Sequence, residues 1–413
     1  MTAKSETDLA GSALGSASAT TAPRKPSIVG LILISALGPL ALNMFMPSMP
    51  GMQAVFNTDY ATIQLTLTLY LVAIGFSQIV FGTLSDRYGR RPVLLCGLAL
   101  FLGGTLICAA APTIEILILG RMLQGAGGAV GLALGRAMVR DVYDTRRSAS
   151  MIGYVTMAMV VAPMFGPLIG GLLDVRFGWQ AGFLLLLVLG TGVTAYIWAT
   201  LPETNLKLST EGFGPLARSA GTLVRMPAFL GYAGALSFAS ASFFAFLAGA
   251  PYVVVEVMGH PPSVYGAYFM MGAFGYMSGN FLSGRFSERF GADRMIAAGN
   301  GVGILGASIL LANLVFTELS LLGLFIPMAI LALSNGMVLP NATAKAISVR
   351  PDLAGSAAGI CGAAQLGIGA LATVIVGALL VDNAWPMALV MATAVTVSIA
   401  ASTLGRRSFI DAD

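Results

Sequence analysis

The chain has 413 residues, of which 57% are hydrophobic and 10% charged, with a mean hydropathy of +0.85 and a formal net charge of +4. Soluble domains carry roughly 25% charged residues, so the composition excludes a soluble globular protein and places the chain in a bilayer. Nothing in it implies nucleic acid.

Residues 1–27 open the chain with a Ser-, Ala-, Thr- and Gly-rich stretch lacking an apolar core, which predicts a disordered tail and no secretory signal. Apolar runs then predict spans near 28–48, 62–84, 92–111, 115–138, 148–173 and 178–200. Each is long enough to cross about 30 Å of hydrocarbon at 1.5 Å per residue. A less hydrophobic segment follows, and spans recur near 228–255, 263–284, 294–315, 319–341, 354–380 and 384–404. The expected fold is an all-α membrane protein of twelve helices: one six-helix bundle over 28–200, a linker over 201–227, a second bundle over 228–405 and a tail over 406–413. The 51 glycines fit helices that pack closely through small residues. Cys96, Cys108 and Cys361 stand singly inside apolar runs, which spells out neither a disulfide framework nor a metal site.

Alternating the loops between the two sides puts all of the 22 lysines and arginines on one side except Arg121 and Arg176. By the positive-inside rule that side is the cytoplasm, so both termini and the linker are expected there. His260, between Gly259 and Pro261 in an expected outer loop, reads as a surface residue.

Between the second and third runs lies Gly82-Thr83-Leu84-Ser85-Asp86-Arg87-Tyr88-Gly89-Arg90-Arg91-Pro92, echoed as Gly284-Arg285-Phe286-Ser287-Glu288-Arg289-Phe290-Gly291. The order of residue types recurs, so the chain is internally duplicated, and both copies read as short interhelical loops. Asp86 is an anion at the membrane surface, suited to a helix N-terminus or a nearby arginine. The first copy resembles the loop 2–3 motif of the major facilitator superfamily, which implies the major facilitator fold. It also implies a conformational latch of Gly82, Asp86, Arg87 and Arg90 that pairs with an acid ending span four, here Asp141, and with the start of span eleven.

Arg121-Met122-Leu123-Gln124-Gly125 resembles the superfamily's span-four motif. Pro163-Met164-Phe165-Gly166-Pro167-Leu168-Ile169-Gly170-Gly171 resembles its exporter motif in span five. Proline kinks a helix and glycine permits close contact, so Pro163, Gly166, Pro167, Gly170 and Gly171 are a candidate hinge, or else a small-residue interface. Arg136 to Asp141, Pro340-Asn341-Ala342 and Asp352 to Ala357 resemble the Bcr/CflA branch of drug/proton antiporters. The resemblance implies a transporter rather than an enzyme: a monomeric, multi-pass exporter in a bacterial-type inner membrane, moving small hydrophobic drugs or metabolites by alternating access in exchange for protons. No Gly-x-x-x-x-Gly-Lys-Ser/Thr motif is present, so neither ATP nor another cofactor is expected.

The superfamily resemblance implies that spans one, four, seven and ten line the substrate path. Polar residues inside spans are costly to bury without partners, which makes Asn43, Arg121, Gln124, Tyr154, Asn335 and Gln365 candidates for substrate binding or coupling. Met44, Phe45, Met46, Phe243, Phe244 and Phe246 could supply apolar contact. Arg121 lies on the order of 9 Å inside span four, with Gln124 one turn on; the alternative is an arginine snorkelling to the outer interface. Asn43 lies at similar depth, and the two could meet. The branch resemblance implies aspartate at position 43, whereas this chain reads Leu42-Asn43-Met44-Phe45-Met46-Pro47, and no Asp or Glu falls in the middle of any expected span. A second reading is therefore a facilitator or exchanger of an anionic metabolite recognised by Arg121.

Overall fold

The fold is that of a computed structural model, which describes residues 26–142, 151, 164–205, 214–381 and 383–410. No strand occurs among the described residues. The long helices are α1 (Ile28–Phe45), α2 (Tyr60–Tyr88), α3 (Arg90–Ala109), α4 (Ile114–Val142), α5 (164–177, the described part), α6 (Gln180–Thr200), α7 (Pro227–Tyr252), α8 (Pro262–Phe290), α9 (Ala292–Phe316), α10 (Leu321–Ser348), α11 (Ala354–Leu379) and α12 (Trp385–Ile410). Ten of these segments are long and apolar enough to cross a membrane. Helix α8 has the length, but Tyr265, Tyr268, Tyr276, Ser278 and Asn280 interrupt its apolar run. A shorter helix, Gly214–Leu223, lies between α6 and α7.

Local chemistry sets several boundaries. Ser27, Asp59 and Ser320 cap α1, α2 and α10, their side-chain oxygens accepting the amides of Gly30, Thr62 and Gly323. Hydrogen bonds from the Thr62 hydroxyl and amide hold the Asp59 carboxyl below its ordinary value. The duplicated motif is not a loop, contrary to the sequence expectation. Helix α2 continues through Ser85 and Asp86 to Tyr88, and the chain turns into α3 at one residue, Gly89, with φ +97° and ψ 155°. Helix α8 likewise runs to Phe290 and turns at Gly291, with φ +83°. Only glycine adopts that backbone conformation at low cost, so one residue replaces a loop and the polar motif residues stay in helical register.

Helix α4 packs on α1, α2 and α3; in the second copy α7 packs on α11 and α12, and α10 on α8 and α9. The α3–α4 contact is backbone-close: a Cβ on Gly104 would strike the Gln124 amide, and one on Gly127 the Phe101 amide. Without a hydrophobic driving force between helices in lipid, such close approach supplies the dispersion contact that holds them.

The first six long helices meet the last six most closely at the end opposite the duplicated motif. There the Tyr60 hydroxyl donates to the Ala248 carbonyl at 2.8 Å, the Gln64 amide donates to the same carbonyl, and Thr68 and Thr373 share a hydrogen bond of 2.7 Å. On α5 and α8, Gly171 faces the Pro262 carbonyl and Gly266 faces that of Pro167. The antiparallel α2–α11 pair then loosens along its length. A Cβ on Gly377 would lie 2.8 Å from Gln64, one on Gly75 3.6 Å from Leu366, and one on Gly362 3.8 Å from Gln78. At the motif end, a Cβ on Gly82, Gly355 or Gly359 would meet no described atom within 4 Å.

Candidate functional site

Helix α4 carries Arg121 and Gln124 on one face, three residues apart, and α1, α2 and α3 enclose them. Arg121 is 0% exposed, so it does not snorkel to the interface. Its Nη1 donates to the Ala41 carbonyl at 3.3 Å and to Gln124 Oε1. Its guanidinium carbon lies 4.5 Å from the centre of the Phe45 ring and 4.0 Å from that of Tyr70, contacts worth on the order of 2 kcal/mol when desolvated. Gln124 Nε2 donates to Thr105 Oγ1 at 2.9 Å, and the Tyr70 hydroxyl donates to the Gly38 carbonyl at 2.8 Å. Nothing in the sequence marks Tyr70 or Thr105; each is an ordinary span residue whose role comes from the helix it faces.

Asn43 and Arg121 share no hydrogen bond among the described residues. The Asn43 amide donates at 2.8 Å to the Pro39 carbonyl four residues back, and Arg121 instead takes the carbonyl of Ala41. Asn43 is buried, and its Oδ1 has no hydrogen-bond partner among the described residues.

A second polar group surrounds α7. Gln365 Nε2 donates to Ser240 Oγ at 2.6 Å and Asn335 Nδ2 to Ser242 Oγ at 3.5 Å. Phe244 packs against Gly369, where a Cβ would strike its ring, and Phe246 meets Phe325 edge-on with 5.6 Å between centroids. Asn335, Gln365 and Phe244 therefore gather on α7, and no described hydrogen bond joins them to Arg121. Tyr154 and Pro163 lie outside the described residues.

At the motif end Arg90 is the hub. Its Nη1 donates to Asp86 Oδ1 at 2.5 Å and to Ser85 Oγ at 2.6 Å, and its Nε donates to Asp141 Oδ2 at 2.9 Å. Asp141 also accepts from the Thr204 hydroxyl. A Cβ on Gly82 would meet no described atom within 4 Å, and Arg87 lies over the neighbouring Tyr88 ring. The sequence resemblance implied a further partner at the start of α11; among the described residues every bond of this cluster stays within the first six long helices and the segment just after α6. That segment supplies Glu203, which sequence analysis does not single out. Its carboxylate accepts the backbone amides of Arg90, at 2.8 Å, and Arg91, at 3.0 Å, the first two residues of α3. A helix N-terminus disfavours arginine and favours an anion, so Glu203 offsets the placement of Arg90.

The second copy reverses the polarity. Asp293 opens α9 and pairs with Lys345 in the last turn of α10 at 3.0 Å, while also accepting from the Tyr232 hydroxyl at 2.7 Å. With the acid at the helix start and the base at the helix end, both charges suit the macrodipole.

The glycines of α5 are contact points. A Cβ on Gly166 would lie 3.1 Å from Asn43 Cβ, one on Gly170 would strike the Met44 carbonyl, and Gly171 faces α8. His260 is half-buried in a cleft of about 580 Å³ that it lines with Val257, Met258 and Leu319 to Leu322.

Residues 31–373 match a family model described as Major Facilitator Superfamily. The chain is 31% identical to "Multidrug resistance protein D" of Escherichia coli, over 83% of this chain and 86% of that one. It is 30% identical to a "Chloramphenicol resistance protein" of Pseudomonas aeruginosa, covering 90% and 88%. It is 28% identical to a "Bicyclomycin resistance protein homolog" of Haemophilus influenzae, covering 91% and 94%. In solved structures, a bacterial homolog of the human lysosomal transporter Spinster, inward-facing and unoccupied, superposes with a TM-score of 0.71 at 16% identity, covering 93% of this chain and 97% of that one.

Proposed function

Because the chain belongs to the Major Facilitator Superfamily, we propose that it exports small, mostly hydrophobic compounds across a bacterial-type inner membrane by alternating access, as a monomer and in exchange for protons. The observation that carries alternating access is the graded α2–α11 contact, hydrogen-bonded at Thr68–Thr373, whereas a Cβ on Gly82, Gly355 or Gly359 would meet no described atom within 4 Å. A transporter that opens to one side at a time needs such an asymmetry between its ends. The basic residues cluster at the motif end, so under the positive-inside rule that end is cytoplasmic, and the described conformation opens inward. Residues 28–200 and 228–405 move as the two bundles, joined by 201–227.

Drug export draws its support from the relatives, whose names associate them with resistance to bicyclomycin, chloramphenicol and multiple drugs. The aromatic side chains of α7 suit flat apolar cargo, and the amide and hydroxyl groups around Ser240 and Ser242 suit its orientation. Proton exchange would use one of the carboxylates near the outer end, Asp59, Glu115, Asp174, Glu256, Glu318 or Asp382, with Glu115 and Glu256 the first to test. The test is accumulation of a fluorescent hydrophobic dye in cells with and without the protein. Expression should lower retained dye, and a protonophore should restore it; equal retention in both cells would remove the export reading.

A further inference from the structure

The Arg121 side chain has three nitrogens, and among the described residues only Nη1 has hydrogen-bond partners. Nε and Nη2 have none among the described residues, although the side chain is wholly buried. No described carboxylate pairs with it. Residues 152–163, the undescribed stretch leading into α5, contain no Asp or Glu. On its own helix, Asp141 lies about 30 Å away, and Glu115 is exposed beyond the outer end of the site. Asn43 is neutral, and its amide is held by Pro39.

A guanidinium stays charged at every relevant pH, and a charge inside a span is retained with a partner. The rings of Phe45 and Tyr70 stabilise the cation through its faces. They leave the edge formed by Nε–H and Nη2–H without an oxygen or nitrogen acceptor. That edge is one side of the planar fork that takes a carboxylate through two parallel hydrogen bonds.

We propose that Arg121 is half of an anion site, taking a small monovalent anion, a halide or a carboxylate, on its Nε–Nη2 edge. The anion supplies the charge that no side chain of the protein provides there. It comes either from the medium or from a carboxylate carried by the transported compound. The site is a property of binding, so it stands or falls independently of the direction of transport.

The experiment is thermal unfolding of the full-length, detergent-solubilised protein at fixed pH and ionic strength, in sodium gluconate, chloride, bromide or acetate. A saturable rise of the midpoint over gluconate, on the order of 2–4 °C, is expected. A rise in chloride and bromide assigns the site to a halide, and a rise in acetate alone assigns it to a carboxylate. Arg121→Gln should unfold at the same midpoint in all four salts. Arg121→Lys, which keeps the charge but loses the fork, should lose most of the difference, and it decides the matter where the Gln variant does not fold. Equal midpoints in every salt for the unsubstituted protein, or a full anion effect in the Gln or Lys variant, would overturn the proposal.

Discussion

Arg90 is held simultaneously by Asp86, through Nη1 at 2.5 Å, and by Asp141, through Nε at 2.9 Å. The two acids are not equivalent, because the Asp86 side chain is 51% exposed and that of Asp141 is 21% exposed. Solvent screens the first pair more than the second, and exposed pairs are worth about 0–1 kcal/mol. Asp86→Asn should therefore leave the protein inserted and folded while impairing transport. Asp141→Asn should in addition lower the unfolding midpoint, because Arg90 and the Thr204 hydroxyl both lose the charged acceptor. A midpoint unchanged in Asp141→Asn would show that the pair adds nothing to stability.

Glu203→Gln keeps the side chain's shape but removes the anion that accepts the Arg90 and Arg91 amides. The expected cost is about 1–2 kcal/mol, larger in low salt than in high salt. Parallel denaturation of the two proteins at two ionic strengths measures it; a cost independent of salt would place the effect in packing.

Arg121→Ala should abolish transport, and Arg121→Lys should retain on the order of a tenth of it, because lysine supplies a point charge without the fork. Initial transport rates at matched protein amounts give the comparison. A lysine variant as active as the unsubstituted protein would mean that charge alone suffices at this position.

Much of this architecture is legible in the residues. Apolar runs locate the long helices, although α8, α10 and α12 run six or seven residues past the expected ends and the expected start of span five lies outside the described residues; the echo of Gly82–Gly89 in Gly284–Gly291 exposes the duplication. The depth of Arg121 also follows from counting along α4. What the residues do not disclose are partners on other helices. Glu203 sits in an unremarkable Pro-Glu-Thr after α6, and Thr105, Ser240 and Ser242 are small polar residues of common type. Their roles arise when separate helices meet, and hydropathy fixes which segments cross the membrane without fixing which faces touch. The motif corners fail for a different reason: one glycine at φ +97° does the work of a loop, and composition alone favours the longer connection. Asn43 and Arg121 match in depth, yet depth does not set azimuth, and Asn43 satisfies its amide on its own helix.

The α2–α11 closure can be trapped. Thr68 and Thr373 have hydroxyl oxygens 2.7 Å apart, so their side chains meet, as two cross-linked cysteines must. With Cys96, Cys108 and Cys361 replaced by alanine, the pair Thr68→Cys and Thr373→Cys should cross-link under mild oxidation and stop transport, and a reductant should restore it. Undiminished transport by the fully cross-linked protein would show that this contact does not open in the cycle.

The most direct measurement of export by proton exchange is uptake of a labelled drug into inside-out membrane vesicles under an imposed pH gradient, acid inside. Accumulation above the external concentration is expected, with collapse when a protonophore removes the gradient and none in vesicles lacking the protein. Uptake that stops at equal concentrations on the two sides, with or without the gradient, would contradict it and leave the protein a passive facilitator.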